Sequence, residues 1–246
     1  MKIVVVGGTG NVGARVVEKL IAHGHEAVSA SRRDGVNSYT GEGLEDAFAG
    51  AHVVVDTTQA PSYKDDEVLD FFTKSTANQL AAAKAAGVTK HVALTIVGTN
   101  RPNEIGYFHG RAAQEKLIRE SGLDYTLVHA TQFHEFVQAV VFTGTQGDEI
   151  LVSDGLVQPI AADDVATAVA RAAAHDAAGD IEVAGPEAFP LAEYVQRFLD
   201  AKGDSRVVIE KHENPYFGAV IDKGAIVPVE GAKLFEGSYG DWLAAL

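Results

Sequence analysis

This 246-residue chain has no cysteine, and only one methionine and one tryptophan. Without thiols it can have no disulfide framework, no thiolate metal site and no cysteine nucleophile. Basic residues are scarce: 20 Lys and Arg stand against 34 Asp and Glu, a formal net charge of −14. That balance leaves no cationic footprint for a nucleic-acid partner. No apolar run reaches the ~18 residues that would suggest a membrane span. Met1-Lys2 leads straight into Ile3-Val4-Val5-Val6, without the longer apolar stretch and cleavage site of a secretory signal. A soluble, cytoplasmic protein is expected. There is no Gly-x-Ser-x-Gly elbow, and Gly13 is followed by Ala14 rather than a phosphate-loop lysine, so neither hydrolase nor nucleotide triphosphatase chemistry is signalled. His129, His134 and Glu135 sit close in sequence but in no zinc-binding pattern, so they are expected to line or pack a pocket and no metal is expected.

Apolar residues make up 46% of the chain and charged residues 22%, as in an ordinary folded domain. The run Lys2–Val6 is apolar on both faces, which suits a strand buried in a parallel sheet. In the segment 11–22, Val12, Val16, Val17, Leu20 and Ile21 form one helical stripe. A second strand, 25–31, completes a βαβ unit. Strand-like segments at 52–57, 91–98 and 124–129 then alternate with helical segments at 43–49, 65–86 and 107–121. This alternation predicts an α/β fold, an open doubly wound parallel sheet of the Rossmann type. After about residue 150 the pattern loosens into helix-like 162–174 and 191–201 and strand-like 180–184 and 207–210, followed by a tail rich in aromatics. The expected division is a sheet domain over residues 1–150 and a small C-terminal α+β lobe over 151–246 that covers the substrate.

The strongest motif is Gly7-Gly8-Thr9-Gly10-Asn11-Val12-Gly13, between the first strand and the first helix. Glycines there allow a tight turn, let backbone approach a pyrophosphate, and let the helix pack close to the strand. The free N–H groups and dipole of the helix start favour an anion. Gly7, Thr9, Gly10, Asn11, Val12 and Gly13 are therefore candidate dinucleotide-binding residues. The second strand ends in Ser31-Arg32-Arg33 rather than the Asp or Glu that takes a ribose diol. A hydroxyl and two guanidinium groups suit a 2′-phosphate, so NADP(H) is expected over NAD(H). Asp34 is the competing signal for NAD, but it follows the arginines and is expected to lie beyond the strand. Thr57 and Thr58, after the strand 52–57, are expected to border the same cofactor.

These segments resemble the atypical short-chain dehydrogenase/reductases, and within them the NmrA-like NAD(P)-binding group that includes quinone reductases. The resemblance rests on VVVGGTGNVG, the following SRR, the stretch HVALTIVGTNR…GYFHGRAAQEKLIRESGLDYTLVHATQF, and VQPIAADDVATAV with VAGPE. It implies that Tyr107 is the superfamily's catalytic tyrosine, that Arg111 stands where its lysine stands, and that Thr95 stands where a serine is carried. Tyr107 and Arg111 are four residues apart and share a helix face. A permanently charged arginine could lower a neighbouring tyrosine's pKa but could not relay a proton. Gly110, between them, suggests close approach of the cofactor or a kink. Gln132, Phe133 and Phe136 follow a strand end, where doubly wound folds open their ligand crevice, and are candidate substrate contacts.

The leading expectation is an NADPH-dependent oxidoreductase acting on a small carbonyl, quinone or enone. The alternative is a non-catalytic NmrA-like protein that binds NAD(P) to sense redox state or regulate a partner, suggested by His109 and Arg111 at altered active-site positions. An epimerase or isomerase is a third reading, with little room in the C-terminal lobe for a nucleotide-sugar.

Overall fold

The computed structural model describes residues 1–101, 104–176 and 179–246. In chain order the elements are β1 (Lys2–Val6), α1 (Asn11–Ala22), β2 (Glu26–Ala30), α2 (Leu44–Phe48), β3 (Val53–Asp56), α3 (Asp65–Ala85), β4 (Lys90–Ile96), α4 (Gly106–Arg119) and β5 (Asp124–Ala130). Then follow α5 (Val137–Gly144), β6 (Thr145–Gln146), β7 (Glu149–Val152), β8 (Leu156–Val157), α6 (Ala162–Ala174), β9 (Gly179–Ala184), β10 (Phe189–Pro190), α7 (Leu191–Lys202), β11 (Val207–Glu210), β12 (Lys233–Leu234) and α8 (Tyr239–Ala244).

A seven-stranded sheet has the order β12-β9-β5-β4-β3-β1-β2. The pairings β1–β2, β1–β3, β3–β4 and β9–β12 are parallel, as the doubly apolar strands predict. The order around β1 reverses: β2 lies on one side and β3 on the other. Such a switch point opens a crevice outside the carboxyl ends of the strands.

Two compact units are distinguished, and they do not follow a single cut at residue 150. The first comprises Met1–Thr95, Gly106–His129 and Val165–Ile181, and the second Ile96–Ile105, Ala130–Asp164 and Glu182–Leu246. The chain changes unit five times, the last within β9, an interleaving that a linear reading of composition does not register.

In the first unit, α1 buries Val12, Val16 and Leu20, the stripe read from its periodicity. Val4, Val6, Leu44, Phe48, Val54, Ala83 and Val88 form one core cluster there. Helices α3 and α4 pack face to face at close range. A Cβ on Gly110 would lie 2.7 Å from Val68 Cγ1 and 3.1 Å from the Val68 backbone. Gly110 is thus a point of helix–helix contact, and neither a kink nor a cofactor approach is needed to explain it. In the second unit, β7 pairs in parallel with β11 and antiparallel with β6, and β8 pairs antiparallel with β10. Its core includes the fully buried Tyr194 and Tyr239, whose ring centroids are 4.7 Å apart. The Tyr194 hydroxyl donates to the carbonyls of Phe133 and His134, and that of Tyr239 to the Tyr194 carbonyl.

Candidate functional site

β1 runs straight into the glycine turn. Gly7 has φ +79°, a conformation side chains rarely adopt, and its carbonyl accepts from Gly10 N–H at 2.9 Å. A Cβ on Gly13 would collide with the Gly7 carbonyl oxygen and lie 2.7 Å from Thr57 Oγ1, so the first turn of α1 seats against β1 and β3 only because Gly13 has no side chain. α1 starts with no side-chain cap and no acidic residue in its first turn, which leaves its leading N–H groups and positive dipole end available to an anion.

The cationic wall follows β2. Ser31 caps a short 3-10 turn, Arg32–Asp34, by accepting from the Arg33 N–H at 3.2 Å. Asp34 curls back to the strand: its carboxylate accepts from the hydroxyls of Ser29 at 2.9 Å and Ser31 at 2.7 Å. Asp34 thus lies beyond the strand, as expected, with its side chain turned back to the strand's Ser29. The Ser31 and Ser29 hydroxyls hold its carboxyl below the usual range, with a smaller contribution from the charge of Arg33. The guanidinium groups of Arg32 and Arg33 have no hydrogen-bond or ion-pair partner among the described residues.

Both elements open on one cleft of about 610 Å³. Of the predicted cofactor residues, Gly7, Thr9, Gly10, Ser31, Arg32, Arg33, Thr57 and Thr58 line it. Asn11, Val12 and Gly13 do not; they form the first turn of α1, with Val12 and Gly13 buried behind the glycine turn. Sequence reasoning missed the wall formed by Val36–Tyr39, Pro61, Glu67, Asp70 and Phe71. The two carboxylates in that wall already have cations: Glu67 pairs with Lys64 at 2.9 Å and Asp70 with Lys74 at 2.8 Å. The unpaired charge of the cleft is therefore positive, in a protein whose net charge is −14.

A buried polar chain runs behind the cleft. Asp56, fully buried, accepts from Thr58 N–H at 2.8 Å and from the side-chain amides of Gln79 and Gln114, each at 2.9 Å. Gln79 continues the chain to Ser75, and Ser75 to Ser38. Arg111 is 5% exposed and donates to the carbonyls of Leu94 and Thr58, each at 3.1 Å, and to Gln114 Oε1 at 3.0 Å. Its guanidinium also lies 4.1 Å from the centroid of the Phe72 ring. Arg111 thus fixes Thr58, a cleft residue, from behind. Thr58 Oγ1 is buried without a partner among the described residues.

Tyr107 packs between rings. Its centroid is 5.9 Å from that of Phe72 and 5.8 Å from that of Tyr63, and its hydroxyl oxygen is buried without a hydrogen bond among the described residues. The Arg111 guanidinium is 5.8 Å from the Tyr107 ring centroid. The Thr95 hydroxyl donates to Glu115 at 2.5 Å, and Glu115 also pairs with Arg119 at 3.1 Å and lies 3.6 Å from His129. Glu115 is two helical turns past Tyr107, roughly 12 Å along the axis. The structure brings Tyr107 and Arg111 together, and Arg111 reaches the carbonyl of Leu94, the residue before Thr95, while the Thr95 hydroxyl is taken up by Glu115.

Gln132, Phe133 and Phe136 lie in the second unit. Phe136 stacks on Phe217 at 5.1 Å and tilts against Tyr216 at 6.5 Å. Burial pushes the pKa of the Tyr216 hydroxyl well above the usual range, partly opposed by the side chain of Gln132. Phe133 bridges to Ile160. His134 packs on Tyr239 and Trp242. Among the described residues no group of three His, Cys, Asp or Glu could hold a metal ion, and no helix is long and apolar enough to cross a membrane.

A family model described as NAD(P)H-binding matches residues 7–176, which include the glycine turn, the cationic wall and the buried chain. The photosystem II assembly factor Ycf39 of Cyanophora paradoxa is 24% identical over 149 residues, 55% of this chain and 46% of that protein. Ycf39 of Synechocystis sp. is 26% identical over 147 residues, 54% of this chain and 45% of that protein. The chain therefore spans less than half the length of these curated relatives. Among solved structures, the Bordetella bronchiseptica enzyme WbmH in complex with NAD+ superposes with a TM-score of 0.72 at 16% identity, covering 99% of this chain and 96% of that one. At that identity the likeness speaks for the fold.

Proposed function

The chain belongs to the NAD(P)H-binding family, and on that premise we propose that it binds NADPH in the cleft of the first unit and reduces a small quinone, carbonyl or enone. The observation that carries this reading is the pair of unpaired guanidinium groups, Arg32 and Arg33, on the wall of a cleft that also holds the glycine turn. The bare backbone at Gly7 and Gly10 and the uncapped start of α1 suit a pyrophosphate. Arg32 and Arg33 suit a 2′-phosphate; the Asp34 carboxylate keeps its charge but is held by the hydroxyls of Ser29 and Ser31. When bound, the dinucleotide supplies the hydride.

The residues of the chain divide the remaining work. Arg111 is a positioning residue: its two terminal nitrogens are taken up by Leu94, Thr58 and Gln114. We assign the proton-donor role to Tyr107, whose hydroxyl is unpartnered among the described residues; it is buried and off the cleft lining, so delivery of a proton requires that it become exposed. Neither a lysine relay nor Thr95 supports it, so an acceptor that needs little acid assistance, such as a quinone, is favoured over a simple ketone. The test is NADPH oxidation against a panel of quinones, enones and carbonyls, with Tyr107→Phe in parallel. Turnover that is fastest with quinones, and a loss of carbonyl turnover in Tyr107→Phe, support the reading.

One observation favours a second reading, a non-catalytic NADPH-binding regulator. Arg111 and Thr95 are both engaged in internal hydrogen bonds, and the sequence relatives bear the name of assembly factors rather than enzymes. Tight NADPH binding with no turnover on any member of the panel would decide for it.

A further inference from the structure

One short stretch of chain touches both the cleft and Tyr107. Residues 59–63 lie between β3 and α3 and belong to neither element. Gln59 and Pro61 line the cleft. Between them, Ala60 is buried in a cluster with Val68 and Phe72, and the Tyr107 ring packs against that cluster. Tyr63 follows, its ring centroid 5.8 Å from that of Tyr107 with 36° between the planes. We propose that residues 59–63 are a gate between the cleft and Tyr107, with Tyr63 as its latch, and that an acceptor meets the Tyr107 hydroxyl only when the gate is open. The inference rests on the reading that NADPH reduces an acceptor here with Tyr107 as the proton donor.

Three observations support it. First, the stretch is fixed at its ends and loose between them. The Thr58 N–H donates to Asp56 at 2.8 Å and the Thr58 carbonyl accepts from Arg111 at 3.1 Å. At the other end the Lys64 carbonyl accepts from the Val68 N–H at 2.9 Å, opening α3. Among the described residues no backbone group of 59–63 makes a hydrogen bond. Ser62 is tied only by its side chain, to the Lys64 N–H at 3.2 Å and to Glu67. Backbone without hydrogen bonds opens at low cost, and a few terminal residues absorb the change in dihedral angles. Second, Tyr63 is 69% exposed, and its hydroxyl has no hydrogen-bond partner among the described residues. Exposed side chains change rotamer on the picosecond to nanosecond scale, so the latch can release without disturbing the core. Third, Tyr107 itself is held in place. A Cβ on Gly106 would overlap the Asp65 carboxylate, so the start of α4 sits directly against the start of α3, and Phe72 meets the Tyr107 ring edge-on at 5.9 Å. Access to Tyr107 therefore comes from movement of the stretch over it rather than from movement of α4.

The experiment compares wild type, Tyr63→Ala and Tyr63→Phe by the initial rate at which tetranitromethane nitrates Tyr107, located by peptide mapping, with melting temperature as the control for folding. Removing one aromatic contact should speed nitration of Tyr107 in Tyr63→Ala by roughly three- to ten-fold. Tyr63→Phe keeps the ring and should stay within about two-fold of wild type. NADPH-dependent carbonyl turnover should gain in kcat/KM in Tyr63→Ala, and the gain should vanish in Tyr63→Ala/Tyr107→Phe, because the gate acts through the Tyr107 hydroxyl. Unchanged nitration in Tyr63→Ala overturns the gate and leaves the role of Tyr107 standing. Faster nitration without a gain in carbonyl turnover, or a gain that survives Tyr107→Phe, overturns it as well. A wild type that oxidises NADPH with no acceptor overturns the reductase reading, and the gate with it. A second measurement needs no variant: in wild type the amides of Ala60, Ser62 and Tyr63 should exchange hydrogen roughly a hundred-fold or more faster than those of Val68 and Phe72 in α3. Equal protection overturns the proposal even if Tyr63→Ala fails to fold.

Discussion

Arg111 shows how much a single position can depend on its surroundings. Its guanidinium satisfies two backbone carbonyls and Gln114 in a buried setting. Arg111→Ala would leave those acceptors without partners and should cost about 2–4 kcal/mol of stability. Arg111→Lys should recover only part of it, because an ammonium cannot reproduce the planar fork. Urea unfolding checks both. Tyr107→Phe is the opposite case. Its hydroxyl is buried and unpartnered, so removing it should change stability by less than about 1 kcal/mol, or raise it. A drop in turnover at unchanged stability would then assign the hydroxyl to chemistry. The spacing of Tyr107 and Arg111 correctly put them on one helix face. It could not tell that this face is turned to α3 and to the Thr58 carbonyl, because four-residue spacing fixes neighbours on a helix and not what the helix packs against.

Among the elements, those that declare themselves locally were legible. β1, the glycine turn and α1 follow from a β-branched run, turn residues and a helical stripe, and they were read within a residue or two. The turn at residues 36–43 was not legible as a cleft wall. Its Asn, Ser and Gly mark a loop, but its position depends on Ser75, Asn78 and Asp70, more than thirty residues away on α3. α5, the short strands β6, β10 and β12, and α8 carry too little periodicity to be read one by one; tertiary packing decides them. The α3–α4 contact gives a prediction at this scale. Gly110→Ala should destabilise the protein by about 1–3 kcal/mol despite alanine's higher helix propensity, because its Cβ would press on Val68. Melting temperature reads this out, and an unchanged or raised value would mean that the helices can part without cost.

At the scale of the whole molecule, burial makes stability depend on pH. Desolvation holds the pKa of His91 below its ordinary value of 6.5, partly opposed by Asp56, and does the same to His134, there opposed by Glu135. A histidine whose folded pKa is depressed lets the unfolded chain take up protons first, so stability falls as the pH drops below about 6.5. His212 beside Asp154 has a raised pKa and acts in the opposite direction, but the pair is solvent-exposed and contributes little. Urea midpoints at pH 7.5 and 5.5 should differ in favour of pH 7.5, and His91→Leu should reduce the difference. The overall charge of −14 also takes on a more specific meaning. It would oppose an anionic ligand only if the cleft shared it, whereas Glu67 and Asp70 are paired and Arg32 and Arg33 are not. The most direct test of the account is therefore a titration of wild type and Arg32→Ala/Arg33→Ala with NADPH and NADH at fixed ionic strength. The account predicts that wild type prefers NADPH by roughly ten-fold or more, and that the double variant loses this preference while still binding NADH. Equal affinity of wild type for the two dinucleotides, or a preference that survives loss of both arginines, would contradict it.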